Sequence, residues 1–252
     1  MGLAGELDDK VIHLIGFVKY NKNRAILHSI FLNSQHYRTQ DGRVDTLKVV
    51  RVLKRLGFIQ LRYPATQEQK IRFVTSGDPH PFMKLVFDAL AKTAVFDYSI
   101  DGAMKTKEGF ALTVRCRAPI APDPVRIVAT LQHAGLSVVD IQRKGTAWSY
   151  YIGGARVHLP VPQVRGAIEL QGSQERYWCA VFGNVHIVSH RGNHWHPAVY
   201  VYDMRLHPLK AILLYEERKS LDISLPNGIY YITIADRFSA KNIQRGFTVS
   251  NR

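Results

Sequence analysis

The chain has 252 residues, 46% of them hydrophobic, which excludes bulk disorder and suits two domains. Its 34 Lys and Arg against 20 Asp and Glu leave a formal net charge of +14, a field that draws polyanions such as nucleic acid, anionic lipid headgroups, cell-wall polymers or acidic proteins. Residues 1–153 alone carry 22 basic and 13 acidic side chains, so the excess is spread along the chain and is not a basic tail.

The opening Met1-Gly2-Leu3-Ala4-Gly5 lacks the basic and apolar regions of a signal peptide, and no stretch of about 18 apolar residues follows. Residues 1–40 read as a helical segment, with one or two helices between Leu7 and Asn33. Residues 41–153 then show an αββ rhythm repeated three times. The first helix runs from Asp45 to Leu56 with Gly57 as its stop, followed by strands Phe58–Tyr63 and Lys70–Thr75. A second helix starts after Asp78, followed by strands Phe96–Ile100 and Phe110–Cys116. A third begins at Asp123-Pro124, an N-cap followed by proline at the first helical position. Strands Leu136–Gln142 and Ala147–Ile152 close the region. From Lys70 onward the order β-α-β-β-α-β predicts an α+β, ferredoxin-like antiparallel sheet.

Residues 154–165, with Gly154, Pro160 and Pro162, read as a linker that leaves two separate cores. From residue 166 to 252 the hydrophobic period becomes two. Eight short strands punctuated by Gly183-Asn184, Gly192-Asn193 and Pro226-Asn227-Gly228 predict an all-β sandwich. Leu225 to Ile234 resembles the penultimate hairpin of immunoglobulin-like modules, a likeness of fold alone.

Enzyme signatures are missing: the chain has no GxGxxG, Walker A loop, GxSxG or HExxH. The expectation is a non-enzyme without cofactor. His190, His194 and His196 are the candidate metal ligands, because an HxH pair on a strand would point both rings to one face. No acidic residue completes the set at cupin spacing, so a histidine-rich loop without metal is the simpler reading. Cys116 and Cys179 lack a CxxC context and read as two buried free thiols. Trp178, Tyr200, Tyr202, Tyr230 and Tyr231 are expected in the sandwich core. Trp195, in a polar turn, is the expected exposed exception. Lys48, Arg51, Lys54 and Arg55 form a basic stripe on the first helix. With Trp195 they are the candidate partner-binding residues. Glu108 to Val114 falls where RNA-recognition motifs carry a stacking strand, but Leu112 replaces an aromatic there.

Two stretches resemble uncharacterised periplasmic proteins of the Campylobacter–Helicobacter group: residues 41–57, DGRVDTLKVVRVLKRLG, and residues 192–203, GNHWHPAVYVYD. The resemblance implies export, a signal peptide upstream of Met1 and a place in an envelope-spanning assembly such as a flagellar-motor scaffold. It implies no catalytic residue. The leading expectation is therefore a periplasmic scaffold or adaptor whose partners are envelope proteins or an anionic surface, with oligomerisation left open. The alternatives are a cytoplasmic nucleic-acid-binding protein using the basic α+β face, with weak and non-specific binding, and a carbohydrate- or metal-binding β-module.

Overall fold

The computed structural model describes residues 3–153, 161–172 and 175–251. Most of the expected linker, residues 154–160, lies outside them. The N-terminal segment forms three helices: α1 (Leu3–Ile15), α2 (Phe17–Lys22) and α3 (Arg24–Ile30). The extra break falls at Gly16, whose φ of +86° is open to glycine and costly for residues with a Cβ.

Three more helices follow, each started by an aspartate. α4 (Thr46–Arg55) is capped by Asp45, which accepts from the Lys48 N–H at 3.0 Å. α5 (Pro79–Lys92) and α6 (Pro124–His133) are capped by Asp78 and Asp123, with proline in the first turn where no donor is lost. The strands of this half are β1 (Arg62–Thr75), β2 (Tyr98–Thr106), β3 (Gly109–Ile120), β4 (Ser137–Lys144) and β5 (Ala147–Gly153), ordered β2-β3-β1-β5-β4. The architecture is α+β.

Two expectations are corrected here. Residues 58–63 do not form their own strand before β1. After α4 the N–H groups of Phe58 and Ile59 both turn back to the Leu53 carbonyl, at 2.8 and 3.1 Å, so they serve as a helix stop. The first αββ unit therefore supplies one strand. A ferredoxin-like sheet would also set the strand after α6 beside β1 and antiparallel to it. Here that strand, β4, lies at the edge, and β5 takes the place beside β1 and runs parallel to it.

Pairing between β1 and β3 shifts register between Arg62 and Gln67. The fully buried Gln69 side chain spans the gap, its amide donating to the Ala118 and Ile120 carbonyls at 3.0 and 3.1 Å. This irregularity releases Tyr63 and Pro64 from the ladder. Ile71, Phe73, Leu112, Val114, Trp148 and Tyr150 pack beneath the helices. Asp140 on β4 fastens two of those helices. Its carboxylate accepts from Lys10 of α1 at 2.6 Å and from Thr46 of α4 at 2.9 Å.

The C-terminal half has β6 (Ala167–Leu170), β7 (Tyr177–Phe182), β8 (Val185–Ser189), β9 (Pro197–Tyr202), β10 (Pro208–Leu213), β11 (Ser220–Ile223), β12 (Ile229–Asp236) and β13 (Phe247–Asn251). They make two antiparallel sheets, β10-β9-β12-β7 and β11-β8-β13-β6. One core lies between them, with Cys179, Val199, Val201, Ile232 and Ile234 from the first sheet and Val185, Ile187, Phe247 and Val249 from the second. Every residue of β9 is buried because both faces of its sheet are covered.

What covers the outer face is the first half of the chain. Trp178, Tyr200 and Tyr202 belong to the same hydrophobic cluster as Phe87 and Tyr98. The core of the first half therefore continues onto the second half, while the core between the two sheets is built from residues 164–249 alone. Of the aromatics expected inside the sandwich, Tyr230 packs against the two-sheet core, whereas Trp178, Tyr200, Tyr202 and Tyr231 lie on its other side, because alternation along a strand gives two faces without saying which neighbour covers each. Residues 162–164 also run beside β7, where the Ala180 N–H donates to the Pro162 carbonyl and the Val164 N–H to the Ala180 carbonyl, each at 2.8 Å.

Burial raises the Asp140 carboxyl, but the bonds from Lys10, Gln142 and Thr46 lower it by more, so it titrates below its usual value. Its contribution to stability is thus present above about pH 4 and lost as pH falls through the lowered value. Asp140→Asn should cost about 1–2 kcal/mol and flatten that acid limb, read by urea unfolding across pH.

Candidate anion-binding cleft

The residues singled out from sequence do not gather into one site. On α4, Lys54 is committed to the α6 cap, its Nζ lying 2.5 Å from the Asp123 carboxylate. Lys48 leans on Asp45 at 3.7 Å and donates to the His36 carbonyl at 3.3 Å. Arg51 and Arg55 are exposed. Half of the stripe thus carries structure.

The histidines disperse in the same way. His194 and His196 precede β9 in a loop and are not on a strand. His194 Nδ1 faces Glu217 at 3.1 Å, and His196 Nδ1 faces the buried Asp236 at 3.3 Å. His190 lies between the Arg245 carbonyl at 2.7 Å and the Glu169 carboxylate at 2.7 Å. Each imidazole has its own partner, and among the described residues no three metal-ligating side chains converge.

Trp195 corrects its expectation outright. It is fully buried between the sheets, edge-on to Phe247, and its Nε1 donates to the Ala235 carbonyl at 2.9 Å. The loop that carries it is closed onto the second sheet, where its side chain joins the core shared by the two sheets. Cys116 and Cys179 are free and buried, and burial pushes their thiols up to about 11 and about 12.

Strand parity also decides the RNA-recognition comparison. Phe110 and Leu112 point into the core, while Ala111, Thr113 and Arg115 occupy the other face. The aromatic that would stack on a base is therefore unavailable to one.

The cations that do converge lie elsewhere. A cleft of about 630 Å³ opens where the α1–α2 turn, the segment after α4, the irregular start of β1 and the β4–β5 hairpin meet. Lys19, Arg62, Arg143 and Lys144 line it, with Phe58 and Tyr63 in its walls. No carboxylate is among the lining residues.

Each part is positioned by a local cause. Gly16 turns the chain so that α2 brings Lys19 to the rim, where its Nζ donates to the Phe58 carbonyl at 2.8 Å and sits 5.9 Å from the Phe58 ring centre. Arg143 is braced by a bond from Nε to the Gly145 carbonyl at 3.0 Å and by the Trp148 ring at 5.1 Å. Arg62 and Lys144 are exposed. His13 donates from Nδ1 to the Asp9 carbonyl at 2.7 Å, which orients its ring at the edge of the cleft. Unneutralised cations above low-dielectric walls concentrate the field, so the cleft is built to hold negative charge.

A second cavity, of about 570 Å³, lies where the two halves meet and is lined by Ser76, Lys105, Arg205 and His207. It is less basic, because His207 is paired with Asp203 at 3.1 Å.

Comparison with protein-family models and with curated proteins returns no match.

Because Trp195 is a core residue, Trp195→Phe should lower stability by about 1–2 kcal/mol through the lost Ala235 bond, read by urea unfolding. The same variant should leave polyanion binding unchanged.

Proposed function

We propose that the chain is a non-enzymatic adaptor of the cell envelope that receives an anionic partner in the cleft between the α1–α2 turn and the β4–β5 hairpin. The observation that carries this reading is the convergence of Lys19, Arg62, Arg143 and Lys144 from three separate segments without a carboxylate among the lining residues. Such a lining suits binding of negative charge more than proton transfer, since four cations and no carboxylate or thiol are among its described residues.

The docked halves fit the adaptor role, because a rigid body can hold two partners at a fixed spacing. We take the first half as an α+β sheet in which β5 is inserted between β1 and β4, and the second as a β-sandwich. Both are platforms whose function depends on the sites they carry. The resemblance of residues 41–57 and 192–203 to periplasmic proteins favours an envelope setting, with a flagellar-motor-type assembly as its most specific form. Nucleic-acid binding through the same cations is the second reading. The inward-facing Phe110 and Leu112 weigh against sequence preference in it.

Arg62→Glu with Lys144→Glu should elute from heparin at clearly lower salt than the parent. For a single-stranded oligonucleotide the same pair should reduce the slope of log affinity against log salt by about 2. Arg51→Glu with Arg55→Glu on α4 should change both less. An equal effect from the α4 pair would count against the cleft, and sequence-selective binding at physiological salt would favour the nucleic-acid reading.

A further inference from the structure

Residues 10–40 contain no Asp or Glu, yet they contain Lys10, Lys19, Lys22, Arg24 and Arg38. The same stretch holds three of the four most exposed large apolar side chains among the described residues: Leu32 at 85%, Val18 at 81% and Phe17 at 64%. Charged and apolar exposure meet at α2. Phe17 and Val18 border a surface hollow with Lys19 and Lys22, and that hollow shares Ile15, Gly16 and Lys19 with the cationic cleft. The helix is held firmly from behind. Tyr20 is buried beneath it, its hydroxyl 3.1 Å from His28 Nε2, and Lys19 is tied to Phe58. Phe17 and Val18 are therefore presented outward by a fixed element.

We infer that the α2 tip and the adjoining cleft form a docking surface for an anionic lipid bilayer. Phe17 and Val18 enter the interfacial layer, and Lys19, Lys22, Arg62 and Lys144 hold headgroup phosphates. The inference rests on the cleft reading above and names its partner. Single exposed apolar residues are ordinary on protein surfaces. An adjacent pair set beside cations, in a stretch of 31 residues without a carboxylate, matches the two forces of interfacial binding: apolar insertion and attraction to anionic lipid. A soluble polyanion satisfies the cations alone. Val18 offers it no stacking surface, whereas hydrocarbon rewards its burial.

The test is co-sedimentation of the full chain with phosphatidylcholine vesicles, with and without phosphatidylglycerol, beside heparin and oligonucleotide binding. The expected result is binding that requires phosphatidylglycerol. Arg62→Glu with Lys144→Glu should weaken vesicle and heparin binding alike, by about fivefold or more per charge. Phe17→Ser with Val18→Ser should weaken vesicle binding about tenfold and leave heparin binding unchanged. Both pairs contain exposed residues, and far-UV circular dichroism should confirm unchanged folds. Vesicle binding that survives the Phe17/Val18 change would overturn the lipid inference and leave the cleft reading standing, as would heparin binding without vesicle binding. Preference for the oligonucleotide over vesicles would assign the site to nucleic acid. Binding to none of these probes would overturn the cleft reading itself.

Discussion

Arg176, only 5% exposed, lies where the two halves of the chain meet, with its guanidinium over three rings: Phe87 at 4.7 Å, Tyr98 at 5.5 Å and Tyr200 at 5.8 Å. It donates to the Tyr98 hydroxyl at 2.6 Å and to Thr233 at 3.1 Å. Phe87 and Tyr98 come from the first half, Tyr200 and Thr233 from the second. Burying a charge costs several kcal/mol, and cation–π contacts of about 2 kcal/mol with hydrogen bonds of about 1.5–3 offset it without leaving a large surplus. The docking force comes instead from the rings. Phe87 stacks on Trp178 at 6.1 Å and Trp178 on Tyr202 at 5.7 Å. Each buried ring removes roughly 150–250 Å² from water. Arg176 decides which docking geometry is allowed, because its donors and rings coincide in one arrangement alone.

A consequence reaches both halves. Neither face of β9 is exposed, although the edge strand β10 beside it is, which explains a strand as uniformly apolar as β9. Arg237 adds a second tie at the rim of the junction, 2.6 Å from Asp97 and stacked over Tyr215. The adaptor reading needs this rigidity. It is what would keep the cationic cleft and the lipid-facing α2 tip at a fixed distance from any surface of the C-terminal half.

Much of the local structure was legible in the sequence, for identifiable reasons. Asp78 and the Asp123-Pro124 pair announced α5 and α6, and alternation with turn signals located all eight C-terminal strands. What failed was non-local. Nothing in the stretch after α4 distinguishes a strand from a helix stop until the Leu53 carbonyl is seen to collect its donors. The parallel seat of β5 beside β1 depends on sheet order, which no short pattern encodes. The cleft escaped notice because Lys19, Arg62 and Arg143 are far apart in sequence, and the α4 stripe drew attention by being contiguous. One signal was available: the acid-free run from Lys10 to Gln40 stands out in a chain with 20 acidic residues. The polarity of the residues around Trp195 gives no sign of its burial, because the contacts that bury it, with Phe247 and the Ala235 carbonyl, are distant in sequence.

The account stands or falls on whether the halves unfold as one body around Arg176. The direct measurement is hydrogen exchange across a urea series, comparing β4, at the edge of its sheet opposite β2, with β13 in the other half. The account predicts that both lose protection at the same urea concentration in the native chain and at separate concentrations in Arg176→Ala. Separate transitions already present in the native chain, or coincident ones unchanged by the substitution, would contradict it.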